Sequence, residues 1–213
     1  MRKLLALVAA GVICGVAALT SSGPAEARLL NDGDRYWDRD AGKMRTFRKA
    51  RPGAGGSYSN RSPIRKRKVS IDGQYAPNTI IVDTGERRLY YVYKRGKAIK
   101  YGIGVGRDGF QWSGTHKITR KAEWPDWRPP AEMIRRVKRE NGVTLKSFYE
   151  GGPNNPLGAR AMYIGSTIYR IHGTNQPWTI GKAMSSGCIR LANSDVEDLY
   201  ERVQVGAKVI VKR

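Results

Sequence analysis

From Asn78 onward the chain breaks into short β-rich runs separated by glycine-bearing turns, and that rhythm restricts its fold more than any other feature. Thr79-Ile80-Ile81-Val82-Asp83 is one run, and Arg88-Leu89-Tyr90-Tyr91-Val92-Tyr93 is the next, after a turn at Gly85. Lys94-Arg95-Gly96-Lys97 reads as a hairpin turn into a further run over 98–105. Runs of this length and spacing predict a mainly β fold, a sandwich or barrel. Gly102, Gly104 and Gly106 alternate as a nucleotide loop would, but no helix pattern and no Gly-Lys-Ser/Thr follows them. They are expected to be strand glycines that admit a close backbone neighbour.

Residues 115–119 suggest another strand, in which His116 is expected to pack or lie at the surface. The β rhythm then stops over 123–156, with Trp124-Pro125-Asp126-Trp127, a helix expected over 131–141, and the turn-rich Gly151-Gly152-Pro153-Asn154-Asn155-Pro156. An excursion of that length in a compact β domain reads as a lid or groove wall. Trp124 and Trp127 either line a cleft or pin the lid to the core. Residues 161–171 read as two strands that deliver His172 to a strand end. Ser194 and Glu197 have capping-box spacing at the start of a helix expected over 195–203, with Val196, Leu199, Tyr200 and Val203 on one apolar face. Gly206 closes that turn, and Lys208-Val209-Ile210-Val211 returns as a last strand. The expected architecture is a β-sandwich or barrel with one packed helix and a lid insertion.

Residues 1–27 read as an export signal: Arg2 and Lys3, an apolar run over 4–19, and Ala25-Glu26-Ala27 as a small-x-small cleavage site. The apolar run nearly reaches membrane-spanning length, so an uncleaved anchor is the alternative, and membrane association is expected only in that case. Lipid attachment at Cys14 is disfavoured by the bulky Ile13 before it. Residues 28–76 show no sustained period and gather Gly, Ser and the basic run Arg65-Lys66-Arg67-Lys68, which predicts a flexible basic linker ahead of a catalytic domain over 77–213. That linker either reaches toward an anionic wall or membrane or is a solvated spacer. The formal charge of +21 favours polyanions, yet export and the lack of a groove-reading motif argue against nucleic acid.

Loss of the leader would leave Cys188 as the one cysteine, unpaired in an exported protein, where a spare thiol is a liability unless buried or used. It follows Gly187 in a Ser-Ser-Gly-Cys turn that allows neighbouring amides to face one spot with the sulfur. His172 is one of only two histidines. A thiol with an imidazole in reach makes a nucleophile and base pair. Two scattered histidines and one cysteine make no metal site, and no cofactor is implied.

His172-Gly173-Thr174-Asn175, Ser185-Ser186-Gly187-Cys188-Ile189-Arg190 and Gly152-Pro153-Asn154-Asn155-Pro156-Leu157-Gly158 together resemble the YkuD-type L,D-transpeptidases of bacterial cell walls, over roughly 78–212. One departure is Ser186, where that family commonly has histidine. The resemblance implies Cys188 as nucleophile, His172 as general base and the Gly173 carbonyl as the group that orients the imidazole. It also implies an oxyanion hole from the backbone N–H groups of Ser186, Gly187 and Cys188. Substrate contacts are implied at Arg190, Ser185, Asn175, Trp124 and Trp127; a structural salt bridge from Arg190 to Asp195 or Glu197 is the alternative. Trp178 and Met184 flank the loop as packing or groove residues. The implied partners are peptidoglycan stem peptides in the periplasm or wall, with D-alanine released and the acyl group passed to an amine of another stem or of an outer-membrane or wall-attached protein. Hydrolysis of the same stem, or a non-catalytic wall-binding module, is the alternative.

Overall fold

The computed structural model describes residues 35–38, 43–46 and 61–213. The leader and most of the expected linker lie outside the described residues. In chain order the elements are β1 (Arg35–Asp38), β2 (Lys43–Thr46), β3 (Arg67–Ser70), β4 (Thr79–Asp83), β5 (Arg88–Lys94), β6 (Lys97–Gly102), β7 (Val105–Gly106) and β8 (Gly114–Glu123). There follow α1 (Ala131–Asn141), β9 (Arg160–Ile164), β10 (Arg170–His172), β11 (Ala183–Ser185), β12 (Ile189–Arg190), α2 (Asn193–Arg202) and β13 (Lys208–Lys212).

Nine strands form one sheet in the order β12-β10-β9-β8-β13-β4-β5-β6-β3. Neighbours run antiparallel except β10 with β12 and β13 with β4. Ile80, Val82, Leu89 and Tyr101 from one half of the sheet share a single buried cluster with Met162, Ile164, Ile171 and Ile189 from the other. Distant strands reach one cluster only if the sheet curls over on itself. The result is the expected mainly β sandwich, closed by Val196, Leu199 and Val203 of α2. Gly104 and Gly106 behave as expected, since a Cβ would come within 3.1 Å of the Thr179 carbonyl and 2.5 Å of the Phe110 carbonyl; Gly102 instead makes room for a side chain, Ile64, at 2.6 Å.

Order starts earlier than Asn78. Part of the basic run is the edge strand β3, paired antiparallel with β6 from Arg67↔Lys100 to Ser70↔Lys97, and Lys66 reaches Asp198 of α2 at 3.2 Å. The sequence shows no period there because an edge strand has one covered side and its exposed positions take charge freely.

The capping box does not form either. The helix begins two residues before the expected start, at Asn193, and its first turn makes no side-chain cap. Ser194 is therefore inside the helix, and Asn193 turns its side chain away from the helix to bind the loops before it.

In the first turn of α2, Asp195 is buried and its Oδ2 lacks a hydrogen-bond partner. Burial, with the charge of Asp198 adding to it and Lys66 opposing, pushes its carboxyl up to about 6. Asp198 is the opposite case: burial raises it, but bonds from Arg202, Tyr101 and Lys66 outweigh that and hold it at about 2. A carboxyl raised on folding holds its proton more tightly in the native state, so Asp195 lowers stability as pH rises from about 4 to about 6. Asp195→Asn should raise stability by on the order of 1–3 kcal/mol at pH ~7.5 and leave it nearly unchanged near pH ~4. Thermal melts at the two pH values check this; equal shifts at both would refute it.

Candidate active site

The parallel pair β10–β12 sets the site. Its register aligns Ile171 with Ile189 and His172 with Arg190. Side chains alternate along a strand. With Ile171 and Ile189 in the core, His172, Arg190, Arg170 and the preceding Cys188 take the other face. Cys188, directly before β12, and His172, at the end of β10, are thereby placed on the same face of adjacent strands. Cys188 is half-buried and unpaired.

His172 is 4% exposed, and its Nδ1 lies 2.6 Å from the Gly173 carbonyl oxygen. A carbonyl only accepts, so Nδ1 carries the hydrogen and Nε2 presents its lone pair. Burial first, then the positive charge of Arg190 and also that of Arg170, lower the imidazole to about 3, against the opposing pull of the Gly173 carbonyl. The ring is neutral at rest, and the burial that keeps it so also makes it a weaker base than a solvated imidazole.

The loop after His172 is held from α2. Asn193 Oδ1 accepts from the backbone N–H of Ala159 and of Thr174, each at 3.1 Å. Gly158 and Gly173 pack against that same oxygen so closely that a Cβ on either would sit 2.3 Å from it. Asn155, also buried, accepts from Leu157 N–H at 2.8 Å and donates to the Pro125, Tyr149 and Glu150 carbonyls, tying the lid's two arms to the site.

The nucleophile turn is braced on several sides. Ser185 Oγ donates to the Cys188 carbonyl at 2.5 Å and accepts from Gly187 N–H at 3.2 Å. Trp112 Nε1 donates to the Gly187 carbonyl at 2.8 Å while its ring stacks on Tyr169, centroids 4.5 Å apart. Gly187 has φ +101°, and a Cβ there would lie 2.4 Å from the Tyr169 ring, so only glycine suits. Arg136 of α1 donates to Ser186 Oγ at 2.8 Å.

This geometry revises several sequence expectations. Ser185 is buried, and its hydroxyl is engaged within the turn rather than facing a substrate. The Gly187 N–H already has an acceptor, which takes it out of the expected set of three oxyanion donors. Asn175 donates to the Asn154 carbonyl at 3.0 Å and so joins two loops. Trp127 packs on Tyr149 and pairs with it backbone to backbone, joining the two arms of the lid to each other, whereas Trp124 is 41% exposed at the lid's start. Arg190 forms no ion pair with Asp195 or Glu197 among the described residues. His116 packs edge-on against Trp112 at 5.6 Å, a packing histidine as expected.

Residues 77–211 match the family model described as YkuD, L,D-transpeptidase catalytic domain. The chain belongs to that family. Among its relatives in the L,D-transpeptidase family, the probable L,D-transpeptidase YbiS of Escherichia coli K12 is 41% identical over 136 residues, covering 61% of this chain and 43% of that protein. The putative L,D-transpeptidase YqjB of Bacillus subtilis is 42% identical over 92 residues, covering 40% of this chain and 52% of that one. The chain thus spans about half the length of these curated relatives or less. A solved structure from Brucella melitensis, described as a probable carnitine operon oxidoreductase, is 46% identical, covers 73% of this chain and 98% of that one, and superposes with a TM-score of 0.47.

Asn193, Asn155 and Arg136 were not legible as site residues. Asn193 looks like a helix-capping asparagine, and Asn155 and Arg136 like ordinary turn and surface-helix residues. The family's active-site motifs lie outside the lid helix, so nothing local singles out Arg136.

Proposed function

We propose that this chain is a peptidoglycan L,D-transpeptidase working through a Cys188 thioester at the cell wall of an exporting bacterium. The observation that carries the reading is a buried, neutral imidazole, its Nδ1 held by the Gly173 carbonyl, on the same sheet face as an unpaired cysteine. His172 Nε2 takes the Sγ proton as the sulfur attacks the carbonyl of the diamino acid at stem position three. The amides of Ser186 and Cys188 are the donors for the resulting oxyanion, each worth about 100- to 1000-fold in rate. The C–N bond to D-alanine then breaks, and His172 returns the proton to the departing amine. An imidazolium in so desolvating a site is a strong acid, which suits that step. An acceptor amine next attacks the thioester, giving a new amide and restoring the thiol.

Three guanidinium groups, Arg136, Arg170 and Arg190, surround this centre, and none has a carboxylate partner among the described residues. Such a field favours an anionic donor, as a stem peptide is. Incubation with a synthetic disaccharide-tetrapeptide, followed by mass spectrometry, is expected to show free D-alanine and a 3-3 cross-linked dimer. Tripeptide with no dimer would instead make water the acceptor and the chain an L,D-carboxypeptidase, while unchanged tetrapeptide would sink both readings.

A further inference from the structure

Arg136 is the arginine of the lid helix that reaches the nucleophile turn. It sits on the inner side of the lid helix, half-buried, with its guanidinium over the Phe110 ring at 4.7 Å and one Nη on Ser186 Oγ. Its Nε is buried with no hydrogen-bond partner, and no carboxylate lies within ion-pair distance among the described residues. Glu140, one helical turn on, is taken by Arg107 at 3.0 Å. A guanidinium desolvated on one side, with a donor unmatched and no counter-ion, is suited to a ligand carboxylate through its planar fork.

The topology says which part of a ligand reaches it. β12 follows the nucleophile directly and has β10, with Arg170 and with His172, the register partner of Arg190, on one side. On the other side lies the chain around β7: Gly104 bridges Arg190, and Arg107 N–H bonds the Ser185 carbonyl. Arg136 and Phe110 belong to this second side. His172 must hand its proton to the leaving nitrogen, so the leaving residue lies over β10, beside Arg190 and Arg170. The acyl residue that stays on sulfur then extends across Ser186 beneath α1.

Resting on the transpeptidase reading, we infer that Arg136 is a specificity residue that binds a carboxylate on the side chain of the donor's acyl residue. The ligand chemistry is a diamino acid whose distal carbon carries both an amine and a free carboxylate, distinguished from one whose distal carboxylate is absent or amidated. The lid helix would thereby read the substrate and, through Ser186, sit directly against the turn that holds Cys188.

The test is binding rather than turnover, in the full chain carrying Cys188→Ala. Calorimetry compares two tetrapeptides with a free C-terminal D-alanine, one with meso-diaminopimelate at position three and one with the distal carboxylate of that residue amidated. The free acid should bind about 10- to 100-fold more tightly, as expected for charge-assisted hydrogen bonds to a partly buried guanidinium. Adding Arg136→Gln should erase that preference, leaving both peptides at the affinity of the amide. Arg135→Gln, which removes the same charge from the exposed neighbour, should leave the preference intact, and matching melting curves would show both variants folded. A preference that survives Arg136→Gln, that is lost equally in Arg135→Gln, or that is absent from the parent overturns the assignment. If the parent binds neither peptide, the transpeptidase reading itself falls; binding without discrimination sinks only the role given to Arg136.

Discussion

Cys188→Ala should abolish covalent labelling by a carbapenem, and His172→Gln should slow it about 100- to 10,000-fold, the usual range for losing a positioned general base. Intact mass reads both: one adduct on the unaltered chain, none on the alanine variant, and a slow adduct on the glutamine variant. Glutamine fills much of the imidazole's space and can still meet the Gly173 carbonyl, but it accepts no proton at neutral pH. An alanine variant that still gains one adduct would place the nucleophile elsewhere. The pH profile carries a sharper consequence. A histidine lowered from 6.5 to about 3 is in its basic form at every higher pH. The labelling rate should therefore show no loss attributable to His172 between pH ~7 and ~5, and should fall only as pH approaches about 3. An acid limb centred near 6.5 that disappears in His172→Gln would show a solvated imidazole and contradict the burial seen here.

Asn193→Ala should be the most damaging substitution outside the catalytic pair. The side-chain oxygen accepts from two backbone N–H groups, at Ala159 and Thr174, in a region closed to water. Leaving both donors unsatisfied costs about 2–5 kcal/mol in all. For a domain of this size that is a drop of about 5–15 °C in melting temperature. Thr174 N–H is next to the Gly173 carbonyl that orients His172, so labelling of Cys188, measured well below the transition, should slow as well. Asn193→Asp keeps the acceptor and should recover more than half of the lost stability. A melting temperature within about 2 °C of the unaltered chain for Asn193→Ala would mean that another group or water replaces the bond.

The β runs, the hairpin at Gly96, the lid helix over 131–141 and the apolar face of α2 were all legible in the sequence. They depend on local periodicity and turn chemistry, which one stretch of chain displays by itself. Cys188 and His172 stood out for a different reason, since an unpaired thiol and a scarce imidazole in glycine-bearing turns carry chemistry that few other positions offer, and the fold sets them on one sheet face.

What escaped the sequence were partnerships. β3 exists because β6 offers it an edge, and its basic residues carry no pattern that says so. Ser194 and Glu197 have a capping box's spacing, yet the helix starts at Asn193, whose side-chain oxygen binds loops thirty-four and nineteen residues earlier in the chain. The Gly187 amide looked available for an oxyanion until the fold folded Ser185 Oγ back onto it. The sequence by itself determined which residues have the chemistry of a nucleophile and a base, and most of the strands from Thr79 onward. Only the tertiary structure decided the imidazole's tautomer, its loss of basicity, and the placing of Arg136 on Ser186, since each depends on burial and on neighbours that the chain brings together from far apart.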